Sequence, residues 1–530
     1  MTELLHHLVQ ATAHRFPRLS ALSYRGDVLD YAALNERIDA AATGFANLGL
    51  KRRDRVAIYL EKRFETVIAI FGAAAVGGVF VPINPILKPH QVGYILRDCN
   101  VRVLVTSKSR VSDLRDEIER CSDLDCIVYV DTDDGASIGR VKGLSWDALI
   151  TSRKSPAVPL IDADMAAILY TSGSTGNPKG VILSHRNLVA GANSVSQYLR
   201  NTADDRILSV LPLSFDAGLS QLTTAFTVGA KVTLLNYLLP RDVIRICAEE
   251  RVTGITGVPP LWFQLAELEW PKEASDSIRY FANTGGHMPR RTLDQLRLAM
   301  PKAKPYLMYG LTEAFRSTYL DPAEVDHRPD SIGKAIPNAE ILVVRPNGEL
   351  CDANEVGELV HRGALVAMGY WNDPEKTAAR FRPTPGQPVG IPLPELAVWS
   401  GDQVRRDENG FLYFVGRLDG MIKTSGYRVS PTEVEEVIFA TSLVGSAVVL
   451  GVPHPTLGQG IIAVVTPPTS GTVDGDGLMH ECRRRLPQYM VPLVVFERAT
   501  LPRNPNGKID RNQLAAEYAA TFHRQSEPTS

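Results

Sequence analysis

The run Tyr170-Thr171-Ser172-Gly173-Ser174-Thr175-Gly176-Asn177-Pro178-Lys179-Gly180 packs hydroxyls, glycines and one lysine into a single turn. Those are the groups that grip a polyphosphate. Glycines let backbone N–H groups approach anionic oxygens, Ser and Thr hydroxyls add neutral donors, and a lysine ammonium brings a mobile positive charge. The spacing is not that of a Walker loop, which ends in Gly-Lys followed by Ser or Thr; here Lys179 follows Pro178 and precedes Gly180. A solvated Ser/Gly loop after a buried strand would account for a run of four or five such residues. Over this length a nucleotide site is the better reading.

Four further segments carry functional groups at high density. Tyr309-Gly310-Leu311-Thr312-Glu313 joins an aromatic ring to a hydroxyl and a carboxylate, and Ser400-Gly401-Asp402 sets an acid after a strand. Gly416-Arg417-Leu418-Asp419-Gly420 pairs an arginine with an acid, and Asn504-Pro505-Asn506-Gly507-Lys508-Ile509-Asp510 puts a lysine after a tight turn. Each alone has a plain alternative: an Asp after a strand often caps a helix or forms a turn, and a lysine after Asn-Gly is often solvated.

The elements that must position these groups follow from periodicity. Helical spacing over 31–48 is followed by a β-branched run over 55–60, helical spacing over 65–75 and another β-branched run over 101–106. The rhythm recurs at 207–211, 231–235 and 254–257, and the glycine-rich run follows a buried strand over 165–170. Repeated strand–helix units predict an α/β fold with largely parallel or mixed sheets covered by helices, in which ligands sit beyond the carboxyl ends of strands. Five prolines between 383 and 394 mark a surface excursion, and a hairpin over 406–416 turns at Glu408-Asn409-Gly410. From residue 418 onward, with a helix over 431–440 opened by Ser430, the pattern is that of a compact terminal module.

A chain of 530 residues exceeds what one hydrophobic core supports, so two domains are expected. The expected division is a large N-terminal domain over 1–417, a small α+β domain over 418–518 and a frayed tail over 519–530. Composition excludes several classes. Hydrophobic residues at 44% and charged residues at 22% are ordinary for a globular protein, and a net charge of −2 offers no global pull on nucleic acid or an anionic membrane. Arg483-Arg484-Arg485 reads as the solvated face of a helix. The six cysteines are scattered without a Cys-x-x-Cys, so neither a zinc site nor a disulfide framework is predicted, and a cytoplasmic location fits. No apolar run reaches the roughly 18 residues of a membrane helix, and residues 1–17 lack a signal-peptide core.

Taken in this order and at these separations, the motifs resemble those of the adenylate-forming superfamily: acyl-CoA synthetases, adenylation domains of nonribosomal peptide synthesis, and firefly luciferase. The resemblance covers nearly the whole chain. It implies ATP- and Mg²⁺-dependent conversion of a carboxylic acid to an acyl adenylate and pyrophosphate, then transfer to the thiol of CoA or of a carrier protein's phosphopantetheine arm. It also implies a small C-terminal domain that swings about a hinge. On this basis Thr171, Ser172, Gly173, Ser174, Thr175, Gly176 and Lys179 would wrap the β- and γ-phosphates. Glu313 would hold Mg²⁺ and Thr312 would contact the α-phosphate. Tyr309 would stack on adenine against Gly285 and Gly286, while Asp402 and Arg417 would take the ribose. Lys508 would be the adenylation lysine, Asp419 the hinge, and the loop of Lys423 and Gly426 would face the site after rotation. The hinge motif ends Asp419-Gly420 where a double acid is commoner.

One departure bears on substrate. Leu211-Pro212-Leu213-Ser214-Phe215-Asp216-Ala217-Gly218 stands where many acyl-CoA synthetases carry Pro-Leu-Phe-His, and it is similar to the Phe-Asp motif of amino-acid adenylation domains. There the matching aspartate pairs with the substrate ammonium. A carboxylate in an apolar pocket is costly without a cation, so Asp216 favours an amino-bearing acid. The alternative is that Asp216 caps a helix starting at Ala217. The function expected is therefore a ligase acting on an amino-bearing acid, with an ordinary fatty or aryl acyl-CoA ligase as the alternative and a carrier protein acting in trans. A luciferase-type oxygenase shares every motif. A non-catalytic nucleotide-binding scaffold is a remote reading that intact Lys179, Glu313, Asp402 and Lys508 disfavour.

Overall fold

The computed structural model describes residues 3–150, 158–171, 178–388, 390–417, 420–468, 471–502 and 509–522. Ser172, Gly173, Ser174, Thr175, Gly176, Asp419 and Lys508 lie outside the described residues. The fold is mixed α/β, a large N-terminal region of sheets and helices followed by a C-terminal domain.

A seven-stranded sheet runs, edge to edge, Lys142–Ser145, Cys126–Tyr129, Val101–Thr106, Arg55–Tyr59, Val79–Pro82, Met165–Thr171 and Lys179–Ser184. All neighbours are parallel except the last pair, which is antiparallel. The reason is connectivity. Helices such as Phe64–Ala75 and Pro89–Asp98 return the chain between the parallel strands, whereas the last two strands are separated only by the glycine-rich segment.

Among the described residues the second sheet has 14 strands, and it changes character along its width. Ser20–Tyr24, Lys231–Leu234, Arg206–Ser209, Gly254–Gly257, Tyr280–Asn283 and Lys304–Tyr309 are parallel, with helices between successive strands from Arg206 onward. Beyond Lys304–Tyr309 the pairing becomes antiparallel through Thr318–Leu320, Ser331–Ala335, Leu412–Arg417, Leu396–Arg406, Val356–Gly363 and Ala339–Val344. The expectation of largely parallel or mixed sheets holds: the first sheet is parallel but for one pair, and the second is parallel up to Lys304–Tyr309 and antiparallel beyond it.

Between the sheets lie Phe64–Ala75, His185–Tyr198 and Asp216–Val228. Phe64–Ala75 is apolar nearly all round and has Thr66 to Ala74 buried. Phe71 meets Phe226 edge to face at 5.5 Å in the largest core cluster. Of the five prolines, Pro383 ends the short strand Phe381–Pro383 and the other four fall in the connection to Leu396–Arg406, where Leu393 is 79% exposed.

The C-terminal domain centres on the antiparallel pair Ser446–His454 and Gly458–Thr466, with Val494–Glu497 added in parallel and the hairpin Ile422–Thr424, Tyr427–Val429 at one side. Pro431–Phe439 begins where expected, capped by the Ser430 hydroxyl at 3.4 Å from the Glu433 amide. Buried Glu435 holds the Arg511 guanidinium at 2.7 and 2.8 Å, fastening Arg511–Glu517 to this sheet. Phe522 packs against Gly460 and the His454 ring, so packed structure runs four residues into the segment expected to fray.

Candidate active site

Seven of the candidate residues, Thr171, Asp216, Gly285, Thr312, Asp402, Lys423 and Gly426, line one cavity of about 200 Å³ at the carboxyl ends of the parallel strands, closed on one side by the C-terminal domain, whereas Lys179, Gly286, Tyr309 and Glu313 do not line it. Thr171 enters from the end of Met165–Thr171, and Gly285 follows Tyr280–Asn283. Thr312 comes from the 3₁₀ turn after Lys304–Tyr309, and Asp402 from the long strand Leu396–Arg406. Asp216 stands at the head of Asp216–Val228. Lys423 and Gly426 come from the C-terminal hairpin.

The Thr171 hydroxyl is buried and has no hydrogen-bond partner among the described residues. A buried hydroxyl left unpaired is costly, and here it faces a cavity large enough for the acceptor it lacks.

Glu313 does not itself line the cavity. It is 1% exposed and sits behind the wall in a cluster that sequence reasoning only half found. The Tyr370 hydroxyl donates to Glu313 Oε1 at 2.6 Å, Lys179 Nζ donates to the Tyr370 hydroxyl at 3.5 Å, and the ammonium lies 4.6 Å over the Tyr370 ring. Arg380 and Arg428 each approach Glu313 Oε1 at 4.0 Å. Burial pushes the carboxyl up, but Arg380, Arg428 and Lys179 outweigh it and hold Glu313 at about 2, so it is ionised. Arg428 belongs to the C-terminal domain, so the cluster that holds the expected phosphate lysine and acid also draws one arginine from across the domain boundary.

Tyr309 and Asp402 also meet, the buried tyrosine hydroxyl donating to the aspartate. Asp402 is further fixed by its own amide, which donates to Ser400 Oγ at 3.0 Å. Lys423 Nζ lies 5.8 Å from the centre of the Tyr309 ring. Arg417 is the register partner of Asp402 on the neighbouring strand.

Asp216 is the first residue of its helix, not its cap. Phe215 occupies the cap position with no side-chain cap bond, so the helix starts one residue before the capping alternative places it, while the Asp216 carboxyl still meets amides at the helix start. The Asp216 carboxyl is enclosed by protein but opens onto the cavity. Burial raises its pKa, partly offset by Arg316 and the amides at the helix start.

The C-terminal hairpin is seated on the cavity. Phe215 meets Tyr427 edge to face at 5.3 Å, Tyr427 stacks on Tyr489 at 3.8 Å, and Gln91 Nε2 donates to Glu433 Oε1 at 3.2 Å. Gly426 and Gly285 face one another over Val258, both at positive φ.

Arg316, Tyr370, Arg380 and Arg428 are missed by sequence reasoning. For Arg428 a signal existed, since it ends the Gly426-Tyr427-Arg428 run. An arginine among small and apolar residues in Ala314-Phe315-Arg316-Ser317 could have flagged Arg316. Tyr370 and Arg380 reach the site only through the tertiary fold.

Comparison with known proteins agrees with this architecture. Residues 9–371 match the family model of the AMP-binding enzyme, and 433–508 that of the AMP-binding enzyme C-terminal domain. The chain belongs to the AMP-binding enzyme family. It is 27% identical to gramicidin S synthase 2 of Brevibacillus brevis over 97% of its length, but spans only 11% of that much longer protein. It is 29% identical to the L-proline–[L-prolyl-carrier protein] ligase of Pseudomonas fluorescens, covering 97% of this chain and 99% of that one. Among solved structures, o-succinylbenzoate CoA synthetase of Bacillus subtilis, a double mutant bound with its product analogue, aligns with a TM-score of 0.81 at 28% identity, covering 96% of this chain and 97% of that one. Among the described residues no helix is long and apolar enough to cross a membrane.

Proposed function

We propose that the protein activates a carboxylic acid with ATP to an acyl adenylate, releasing pyrophosphate, and then passes the acyl group to the thiol of CoA or of a carrier protein's phosphopantetheine. The observation that carries this is the single cavity in which Thr171, Thr312, Asp402, Asp216, Lys423 and Gly426 meet, backed by the Lys179–Tyr370–Glu313 chain. A carboxylate is a poor electrophile, and its adenylate has a good leaving group; the protein's task is to align the carboxylate oxygen with the α-phosphorus and stabilise the charge that develops.

Thr171 and Lys179, with Ser172, Gly173, Ser174, Thr175 and Gly176, would hold the outer phosphates. Thr312 would contact the α-phosphate. Tyr309, Gly285 and Gly286 would form the adenine slot, and Asp402 with Arg417 the ribose site. An ionised carboxylate just behind the wall of the cavity suits a hard cation, so Glu313 would hold Mg²⁺, which when bound would neutralise phosphate charge. Lys508 would bring its ammonium to the carboxylate and α-phosphate in the first step.

The seating of Gly426 against Gly285 supports a pose suited to the second step, in which the C-terminal domain has turned about Asp419 at the boundary of residues 1–417 and 418–518. Gly426 would then line the thiol's approach.

Asp216 supports an amino-bearing acid. A second reading, a plain fatty or aryl acid, draws on the apolar wall of Ile83, Leu87, Phe215 and Val258. Pyrophosphate release across fatty, aryl, α-amino and β-amino acids tests both. Release with amino acids alone supports the first reading, and stronger release with unsubstituted acids would replace it with the second.

A further inference from the structure

A charged guanidinium is rarely buried unless carboxylates or carbonyls surround it. Arg316 departs from that rule. It is 2% exposed and among the largest fully buried side chains. Its Nη1 donates to the neutral Thr284 hydroxyl at 2.8 Å, and its Nε is buried with no hydrogen-bond partner among the described residues. Among the same residues no carboxylate forms an ion pair with it. Asp216 feels its field without closing on it.

The backbone is built to hold this side chain in place. Phe315, just before it, has φ 56° and ψ −49°, a strained conformation for a non-glycine residue. Gly310 leaves the path open, since a Cβ there would lie 3.1 Å from Arg316 Cα and 3.4 Å from its Cδ. The side chain ends in the wall between the main cavity and a smaller inner one, and Ala217 and Arg316 line both. Polar groups around the inner cavity are engaged elsewhere: Gln221 Nε2 donates to the Leu208 and Thr256 carbonyls, and Ser220 pairs with Thr224.

We propose that Arg316 recognises a second anionic group on the acid, so that the preferred substrate is a short amino-dicarboxylic acid whose ammonium faces Asp216 and whose side-chain carboxylate meets the guanidinium. The proposal rests on the reading of this cavity as the acid's site. Its physical basis is selectivity: a tail ending in carboxylate supplies the acceptor that Nε lacks, while a methyl end leaves a buried charge unpaired. Sites built to hydrogen-bond a substrate group reject the analogue lacking it far more strongly than apolar pockets discriminate by size.

The test is ATP–pyrophosphate exchange with the full chain on matched acids: L-glutamate against L-norvaline, L-aspartate against L-2-aminobutyrate, and glutarate against valerate. In the wild type the dicarboxylate should exceed its methyl-ended partner in kcat/KM by about 10²-fold or more. Arg316→Met should erase that ratio, and Arg316→Lys should retain part of it. If the wild type prefers the methyl-ended acid in every pair, the proposal is overturned whatever the variants do, while the ligase reading stands on the exchange observed. If no acid supports exchange in the wild type, the ligase reading fails and the proposal falls with it.

Discussion

Gly426 of the C-terminal hairpin lies so close to Gly285 of the large domain that a Cβ added to Gly285 would sit 3.3 Å from the Gly426 Cα, and one added to Gly426 would sit 2.7 Å from a Val258 methyl. Both glycines have φ near +80°, at 78° and 79°, where L side chains are strained. Two glycines are thus needed for the domains to meet as they do.

Gly426→Val should therefore weaken this seating. Strain of about 1–3 kcal/mol, with the clash added, corresponds to a loss of about 10-fold to 10²-fold in any step that needs the pose. Acid-dependent pyrophosphate exchange should be nearly unchanged while thioester formation from preformed acyl adenylate falls. Equal loss of both would remove the assignment of this pose to the second step.

Glu313→Gln should impair the first step strongly, by about 10²–10³ in rate, as for removal of one charge-stabilising group. The Mg²⁺ concentration needed for half-maximal exchange should rise as well, because an amide is a poorer ligand for a hard cation. A variant that folds and shows an unchanged Mg²⁺ dependence would take Glu313 out of the metal role.

Glu433 gives the domain contact a pH dependence. Burial beside Tyr489 and the field of Glu436 raise its carboxyl from 4.5 to about 7, against a smaller lowering by the Gln91 hydrogen bond. The seated pose binds a proton that a solvated Glu433 releases. Seating is therefore fully favoured below about pH 4.5 and is lost progressively as pH rises to about 7. Hydrogen exchange of the amides of Pro431–Phe439 should show protection declining through that window, and Glu433→Gln should flatten the decline. Protection that rises with pH would contradict the assignment.

Much of this organisation was legible in the sequence. The parallel strands near residues 55, 101, 207, 231 and 254 were readable because each is a short run with β-branched residues followed by helical spacing, and the cap at Ser430 because a hydroxyl precedes a proline-led helix. The antiparallel half of the large sheet was less legible. Whether Leu396–Arg406 pairs with Val356–Gly363 is decided by packing at long range, which leaves no local pattern. The same holds for the site. Glu313 and Lys179 stand in recognisable motifs, but the hydroxyl that joins them belongs to Tyr370, in a segment whose sequence carries no motif. Asp216 was legible as an acid near the pocket, yet its choice between cap and cavity turned on a helix beginning one residue earlier than the capping alternative required.

Asp216→Asn separates the substrate classes. If the carboxylate holds a substrate ammonium, the change should weaken use of the amino acid by about 2–5 kcal/mol and spare the deaminated analogue. Kinetics on the matched pair reads this directly, and a ratio that does not change would argue that Asp216 meets no cation.

The central claim is that the chain joins a carboxylate to AMP, and exchange of radiolabelled pyrophosphate into ATP tests it most directly. The account predicts exchange that requires both an acid and Mg²⁺ and that falls by about 10²–10³ in Lys508→Ala, a variant that should still form thioester from synthetic acyl adenylate. No exchange with any acid in a folded wild-type protein that binds ATP would contradict it.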